Sequence, residues 1–252
     1  MVSHRWARPE WHRTIDSTNL AVVADPRPGR VVVADHQSAG QGRRGRVWMA
    51  PPGTSLAVSV AVRAPSAELI GWVPLLTGVA VQRALAEQAV PLTTQLKWPN
   101  DVLVAPGGSG RAGKVCGVLA SAQHGMVVIG AGLNIDQGDD ELPVASATSW
   151  RLARGGSPLP TQVRQTWLNS YLAHLAALLD TLSEDSHAVR SAYIALCSTI
   201  GEDVVIDLPV GRAHGRASDI DPHGGLVLQR GSRRSVHHAG DVVHLLPGAG
   251  SG

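Results

Sequence analysis

The segment Val128-Ile129-Gly130-Ala131-Gly132-Leu133-Asn134 constrains this chain more than any other. It is an apolar run of strand length whose two glycines stand two residues apart. Side chains alternate across a strand, so both glycines fall on one face and leave it bare. A bare face admits a ligand or another backbone, and the residues by themselves leave both readings open. Gly117, within Val115-Cys116-Gly117-Val118-Leu119, offers similar room. A second strand reads from strict alternation: Leu56, Val58, Val60 and Val62 against Ser55, Ala57, Ser59 and Ala61. The short apolar run Val31 to Ala34 reads as a buried strand.

Helices punctuate this sheet. Residues 72–88 read as one, with Pro74 near its start, where proline is tolerated. Residues 95–104 and 114–134 read as strands, with Gly107-Gly108-Ser109-Gly110 as a flexible turn. After Pro160, the residues Val163, Trp167, Tyr171, Leu175, Leu178, Leu179 and Leu182 recur at helical spacing. Ser183 reads as the N-cap of a further helix, with Glu184 and Asp185 in its first turn and Val189, Tyr193 and Leu196 as its stripe. From Gly201 the pattern becomes short strands (204–208, 213–220, 226–229, 236–238, 242–245) between Gly, Pro and Asp turns. That all-β unit of about 45 residues is small for a stand-alone fold. The expected class is α+β, divided at 1–199 and 200–247, with residues 248–252 as a disordered tail.

Composition excludes several classes. An apolar share of 44% with 17% charged residues is that of a globular chain. A formal net charge of +2 demands neither nucleic acid nor an acidic membrane. No apolar stretch reaches eighteen residues and the N-terminus carries no signal-like run, so a cytoplasmic protein with no membrane partner is expected. The two cysteines, Cys116 and Cys197, lie far apart with no zinc spacing, and two lone thiols fit a reducing compartment. No helix-turn-helix pattern precedes Val31, so no DNA partner is expected.

The loop Ser38-Ala39-Gly40-Gln41-Gly42-Arg43-Arg44-Gly45-Arg46 contains a formal GxGxxG. A dinucleotide fold needs a helix to open at its end, and Met49-Ala50-Pro51-Pro52-Gly53 cannot open one. The alternation of glycine with arginine still points to an anion. Glycine lets backbone N–H groups approach closely, and the guanidinium fork suits phosphate or carboxylate. The alternative is a solvated basic turn.

Of the 22 basic residues, only Lys97 and Lys114 are lysines. Lysine is a slim point charge where arginine is a bulky fork, so these two positions stand out in an arginine-rich chain. Lys97 sits in Gln95-Leu96-Lys97-Trp98-Pro99-Asn100-Asp101, on the strand face opposite Leu96 and Trp98. It is either an edge-strand surface residue or a buried cation facing an anionic ligand.

Together and in order, Asp16-Ser17-Thr18-Asn19, the glycine-arginine loop through Trp48, Lys97-Trp98-Pro99-Asn100-Asp101, Lys114 to Leu119 and Gly130 to Asn134 resemble the biotin protein ligase family. The resemblance covers about residues 12–198 and is to the short form without an N-terminal DNA-binding domain. It implies a mixed β-sheet backed by helices, shared with lipoate-attaching enzymes, and a small C-terminal SH3-like β-barrel. It implies an AMP-forming ligase. ATP and biotin would give biotinyl-5'-AMP, with Mg²⁺ accompanying the nucleotide and no direct structural metal ligands. Biotin would then pass to a lysine of a biotin carboxyl carrier domain of acetyl-CoA or related carboxylases. By the same resemblance, Ser17, Thr18, Asn19, Gln37, Gly40, Gln41, Gly42, Gly117, Gly130 and Gly132 would form the biotin site. Arg43 and Lys97 would hold the carboxylate and α-phosphate and be catalytic. Arg46, Trp48, Asn100, Lys114 and Asn134 would line the ATP side. Gln41 stands where the family often has arginine, and the segment 19–31 is short and broken by Pro26 and Pro28, so only a brief helix is expected there. Nothing marks a dimer strand or seam. The rival readings are a lipoate-type ligase, an acyltransferase using Cys116, and a basic-loop nucleic-acid binder.

Overall fold

A computed structural model describes residues 5–104, 113–123 and 125–244. The turn expected at 107–110, the tail at 248–252 and Leu245 lie outside the described residues. The first unit comprises β1 (Glu10–His12), α1 (Thr18–Ala24), β2 (Val31–Ala34), β3 (Ser55–Arg63), α2 (Trp72–Ala86), β4 (Thr94–Lys97), β5 (Asp101–Val104), β6 (Gly113–Gln123), β7 (Met126–Asn134), α3 (Trp150–Ala153), α4 (Val163–Glu184) and α5 (Ser186–Leu196). Its strands form one seven-stranded sheet in the order β1-β2-β3-β7-β6-β5-β4. Only β1 and β2 pair in parallel, so the sheet is mixed.

The two faces of this sheet are covered unequally. On one face Val31, Val33, Leu56, Val58, Val60, Ile129 and Leu133 join residues of α2, α4 and α5 in one core. Helix α2 is buried on nearly all sides because it lies between the sheet and α4. On the other face Val32, Ala61, Met126 and Val128 pack with Val22 of α1. Helix α1 has seven residues, the brief helix the sequence allows, and covers only that end. The rest of this face is where the glycines of β6 and β7 fall.

Two sequence expectations are corrected. Helix α4 runs through Ser183, whose hydroxyl donates back to the Leu179 carbonyl at 3.2 Å. The cap of α5 is Asp185, which accepts from the Ala188 N–H at 3.0 Å. The second correction concerns the C-terminal unit, β8 (Asp203–Asp207), β9 (Arg212–Ile220), β10 (Leu226–Arg230), β11 (Arg233–His237) and β12 (Asp241–His244). It is not a barrel. Its five strands form an open sheet in the order β11-β10-β9-β8-β12, and the edge strands β11 and β12 do not pair with each other. Closure requires edge-to-edge pairing. Strand β11, with Arg233 and Arg234, is largely solvated, while the start of β12 meets the glycine-arginine loop instead.

This open sheet shares the main core. Val204, Ile206, Ile220, Leu226 and Leu228 belong to the same apolar cluster as the first unit. The β9–β10 turn is pinned by two indoles: Trp72 Nε1 donates to the Pro222 carbonyl at 2.7 Å and Trp98 Nε1 to that of Gly224 at 3.1 Å. A unit small for a stand-alone fold thus shares its apolar core with its neighbour.

Candidate active site

The register of three strands builds the bare patch. Gly132 of β7 pairs with Gly117 of β6 on one side and Ala57 of β3 on the other. Gly130 lies between Leu119 and Ser59. The row through Gly132 therefore presents only backbone and a small side chain across three strands, and the next row continues it with Gly130 and Ser59, with Leu119 at its β6 end. The cavity over them is also lined by Ser17, Thr18, Asn19, Gln37 and Trp48. It is narrow, about 60 Å³, and adjoins a second cavity of about 490 Å³.

Polar groups crowd the end near Gly130. The Ser17 hydroxyl caps α1, accepting from the Leu20 N–H at 3.3 Å. Gln37 Oε1 accepts from the Thr18 N–H at 2.8 Å and from its hydroxyl at 3.1 Å. Thr18 Oγ1 lies 2.8 Å from Ser59 Oγ. The Asn19 amide nitrogen is buried with no hydrogen-bond partner among the described residues, and a Cβ at Gly130 would stand 3.2 Å from it. Buried donors without acceptors are costly and rare, so this one marks a place for an acceptor. Ser59 was not singled out from the sequence, although its place on the small-residue face of β3 was visible there.

At Gly132 the patch is covered by Trp48. A Cβ on Gly117 would lie 3.2 Å from its ring. Its Nε1 is likewise a buried donor without a partner among the described residues. Lys114 Nζ stands 5.8 Å from the ring centroid, within cation–π range.

The larger cavity is cationic. Lys97, Lys114, Arg43 and Arg46 all line it. Lys97, on the edge strand β4, is half-buried and faces this cavity; burial lowers its pKa, and Asp101 opposes this in part. Lys114 pairs with Asp101 at 2.6 Å. Burial likewise lowers the Arg43 pKa, with Asp101 opposing and Arg46 and Arg44 adding to the effect. Arg43 donates to Asn100 Oδ1 at 3.0 Å, and Asn100 Nδ2 donates to the Val118 carbonyl at 3.0 Å. Asn100 thus couples the loop to β6. Asn134 engages both side-chain groups with protein, donating to the Thr148 carbonyl and accepting from Gln137. Among the residues named from the sequence, only Gly40 lines neither cavity. It lies behind the loop, where a Cβ would stand 2.5 Å from the Trp48 carbonyl oxygen.

Residues 11–134 match the model of the biotin/lipoate A/B protein ligase family, and residues 199–245 match that of the biotin protein ligase C-terminal domain. The chain is 38% identical over 239 residues to the biotin–[acetyl-CoA-carboxylase] ligase of Mycobacterium tuberculosis, covering 91% of this chain and 86% of that protein. The chain belongs to the biotin protein ligase family. It is 28% identical over 240 residues to the ligase of the same name from Paracoccus denitrificans, covering 90% of this chain and 96% of that one. A solved structure of the biotin protein ligase from Aquifex aeolicus in complex with biotin and ATP shares the fold. Its TM-score is 0.79 at 24% identity, covering 95% of this chain and 99% of that one.

Two rival chemistries fit this ligase poorly. Burial pushes the Cys116 thiol up to about 12, and its side chain belongs to the core, so it supplies no thiolate nucleophile for acyl transfer. The segment after Trp48 forms no helix, so the GxGxxG match has no dinucleotide site behind it. Among the described residues no group of three or more His, Cys, Asp or Glu could hold a metal ion. No helix among them is long and apolar enough to cross a membrane. Asp101, Asp207 and Asp241 do line the larger cavity. Magnesium keeps several waters and rests on phosphates plus one or two carboxylates, so this donor set fits an ion carried in on a nucleotide.

Proposed function

We infer that this ligase joins biotin to a carrier protein in two steps at the paired cavities. Biotin and ATP form biotinyl-5'-AMP: a carboxylate oxygen of biotin attacks the α-phosphorus, and pyrophosphate leaves. The amine of a lysine on a biotin carboxyl carrier domain then attacks the mixed anhydride, and AMP leaves. We propose residues 1–199 as the catalytic unit, residues 200–247 as a C-terminal unit, and the cytoplasm as the compartment.

One observation carries the reading. Along β7 the surroundings change from the unpartnered Asn19 amide at Gly130, over side-chain-free backbone beneath the Trp48 indole at Gly132, to a cationic cavity at Asn134. At about 3.3 Å per strand residue that path is about 13 Å long. It suits a ligand with an acceptor-bearing polar head, a slim apolar chain and a terminal carboxylate, which is the order of groups in biotin.

In the proposed assignment, Ser17, Thr18, Asn19 and Gln37 bond the ureido head. Gly117, Gly130 and Gly132 admit the body and chain, and Gly40, Gln41 and Gly42 shape the loop above. Arg43 and Lys97 hold the carboxylate and the α-phosphate, where fixed positive charge stabilises the charge developing in adenylation. Arg46, Trp48, Asn100, Lys114 and Asn134 line the nucleotide side. Magnesium, when bound with ATP, would rest on Asp101 and neutralise phosphate charge. Polar pairing at the head gives selectivity, because a ligand lacking the ureido group leaves buried groups unpaired. Isotope exchange between pyrophosphate and ATP tests this assignment. Exchange should depend on biotin and be absent with lipoate; exchange supported equally by lipoate refutes the biotin assignment.

A further inference from the structure

Three guanidinium groups of the glycine-arginine loop converge on one carboxylate of the C-terminal sheet. Asp241, the first residue of β12, forms a hydrogen-bonded ion pair with Arg46 and lies 3.3 Å from Arg44 Nη1 and 3.8 Å from Arg43 Nη1. Backbone oxygens extend the contact: Arg43 donates to the Gly240 carbonyl at 3.3 Å and Arg44 to that of Asp207 at 3.1 Å. The Asp241 side chain is only 27% exposed, so solvent screens it less than a surface pair.

The two partners differ in rigidity. Strand β12 is paired with β8, and Gly240 before it packs so tightly that a Cβ there would stand 2.2 Å from Ile206 Cγ2. The loop has no such framework. Its internal ties are a short 3-10 turn at Arg43–Gly45 and the Gln41–Val47 bridge, made by the Gly42 N–H to the Arg46 carbonyl and the Trp48 N–H to that of Gly40. Three like charges on a short glycine-rich loop repel one another and favour its open conformations.

We propose that Asp241 is a positioning residue for the ligase reaction: it neutralises the loop's arginines and draws the loop shut over both cavities, prepaying part of the ordering that ligands would otherwise bear. It touches no reacting atom. Its effect passes through Arg43 and Arg46, and through the Trp48 indole that the same loop lays on the glycine patch. The C-terminal sheet thereby gains a role in retaining the reactive intermediate, a consequence that rests on the adenylation reading above.

The test is Asp241→Asn, which keeps the shape and removes the charge, with Asp241→Glu as the conservative variant. In the ligand-free protein, hydrogen exchange of the loop amides 40–48 should accelerate about tenfold in D241N while β8 and β9 stay protected, and D241E should restore most of the protection. The half-life of enzyme-held biotinyl-AMP should shorten by a similar factor. Loop exchange unchanged in D241N overturns the proposal, as does accelerated exchange with the adenylate held as long as in the wild type. Tighter ATP binding with unchanged loop protection also overturns it, since the carboxylate would then merely oppose phosphate. Should D241N disturb β8, Arg44→Gln removes one guanidinium from the same carboxylate and should give a smaller acceleration; no change there overturns the proposal. A wild-type protein that forms no adenylate refutes the functional reading alone, and the exchange measurement still decides the role of Asp241.

Discussion

Gly132 and Trp48 are in direct contact: a Cβ built on Gly132 would stand 2.7 Å from the indole Cε2. The missing side chain of the strand is thus complemented by the ring of a loop residue. The glycine is needed for close approach, whether by the indole or by a ligand sharing the slot. Gly132→Val should raise the biotin Kd at least about tenfold, the order expected when about 1.4 kcal/mol is lost. Strand β7 is paired on both sides and should persist. Calorimetric titration with biotin checks this, and wild-type affinity in the variant would contradict it.

Lys97 should act mainly in the first step. Lys97→Ala should slow biotinyl-AMP formation about 10²–10³-fold, the usual loss for one preorganised charge-stabilising donor. Transfer from supplied biotinyl-AMP should slow far less. Equal slowing of both steps would mean a general structural role. Because burial lowers the Lys97 pKa, its charge is lost at lower pH than that of a free lysine. Adenylation should therefore fall as pH rises through that lowered value. Lys97→Arg should be slow at all pH, since a fork does not fit a slot built for a slim stem.

How much of this was legible follows from the range of each signal. Strands β2, β3 and β7 and helices α2 and α4 each carry their pattern within a few turns or pairs, and the sequence shows them. Strand β1 has three residues and α3 has four, too short for any periodicity. The C-terminal barrel implied by the family resemblance is an open sheet here, and strand spacing in the sequence does not reveal whether the edges meet. The bare face at Gly130 and Gly132 was legible, but its partner Ser59 depended on the register between β3 and β7. Asp241 lies 195 residues from Arg46, and no local pattern joins them.

Arg43 should serve as lid as well as ligand. Arg43→Gly removes its bonds to Asn100 and Gly240, while Ser17, Thr18 and Gln37 remain to bind the head group. The variant should form adenylate yet release it sooner, and escaped adenylate should label lysines on bystander proteins. Lid closure ordinarily excludes water and retains such intermediates. Adenylate made at an appreciable rate and held as long as in the wild type would sink the lid role.

Arg164 of α4 ties the helix to the start of β3. It donates to the Ser55 carbonyl at 2.6 Å and also to that of Gly53, and it pairs with Asp35 at 3.5 Å and Asp136 at 3.7 Å. Arg164→Met keeps much of the stem but leaves these acceptors without their cation. Stability should fall by about 2 kcal/mol, as for loss of charged hydrogen bonds at a partly buried site. Chemical denaturation measures it, and an unchanged midpoint would refute the tie.

Every role assigned above serves the transfer of one biotin to a carrier lysine through an adenylate. Intact mass of a biotin carboxyl carrier domain, after incubation with this protein, biotin, ATP and Mg²⁺, tests it directly. A single added biotin, release of AMP and pyrophosphate, and no addition when the carrier's acceptor lysine is replaced by arginine are expected. Production of ADP, or biotin added without ATP, would contradict it.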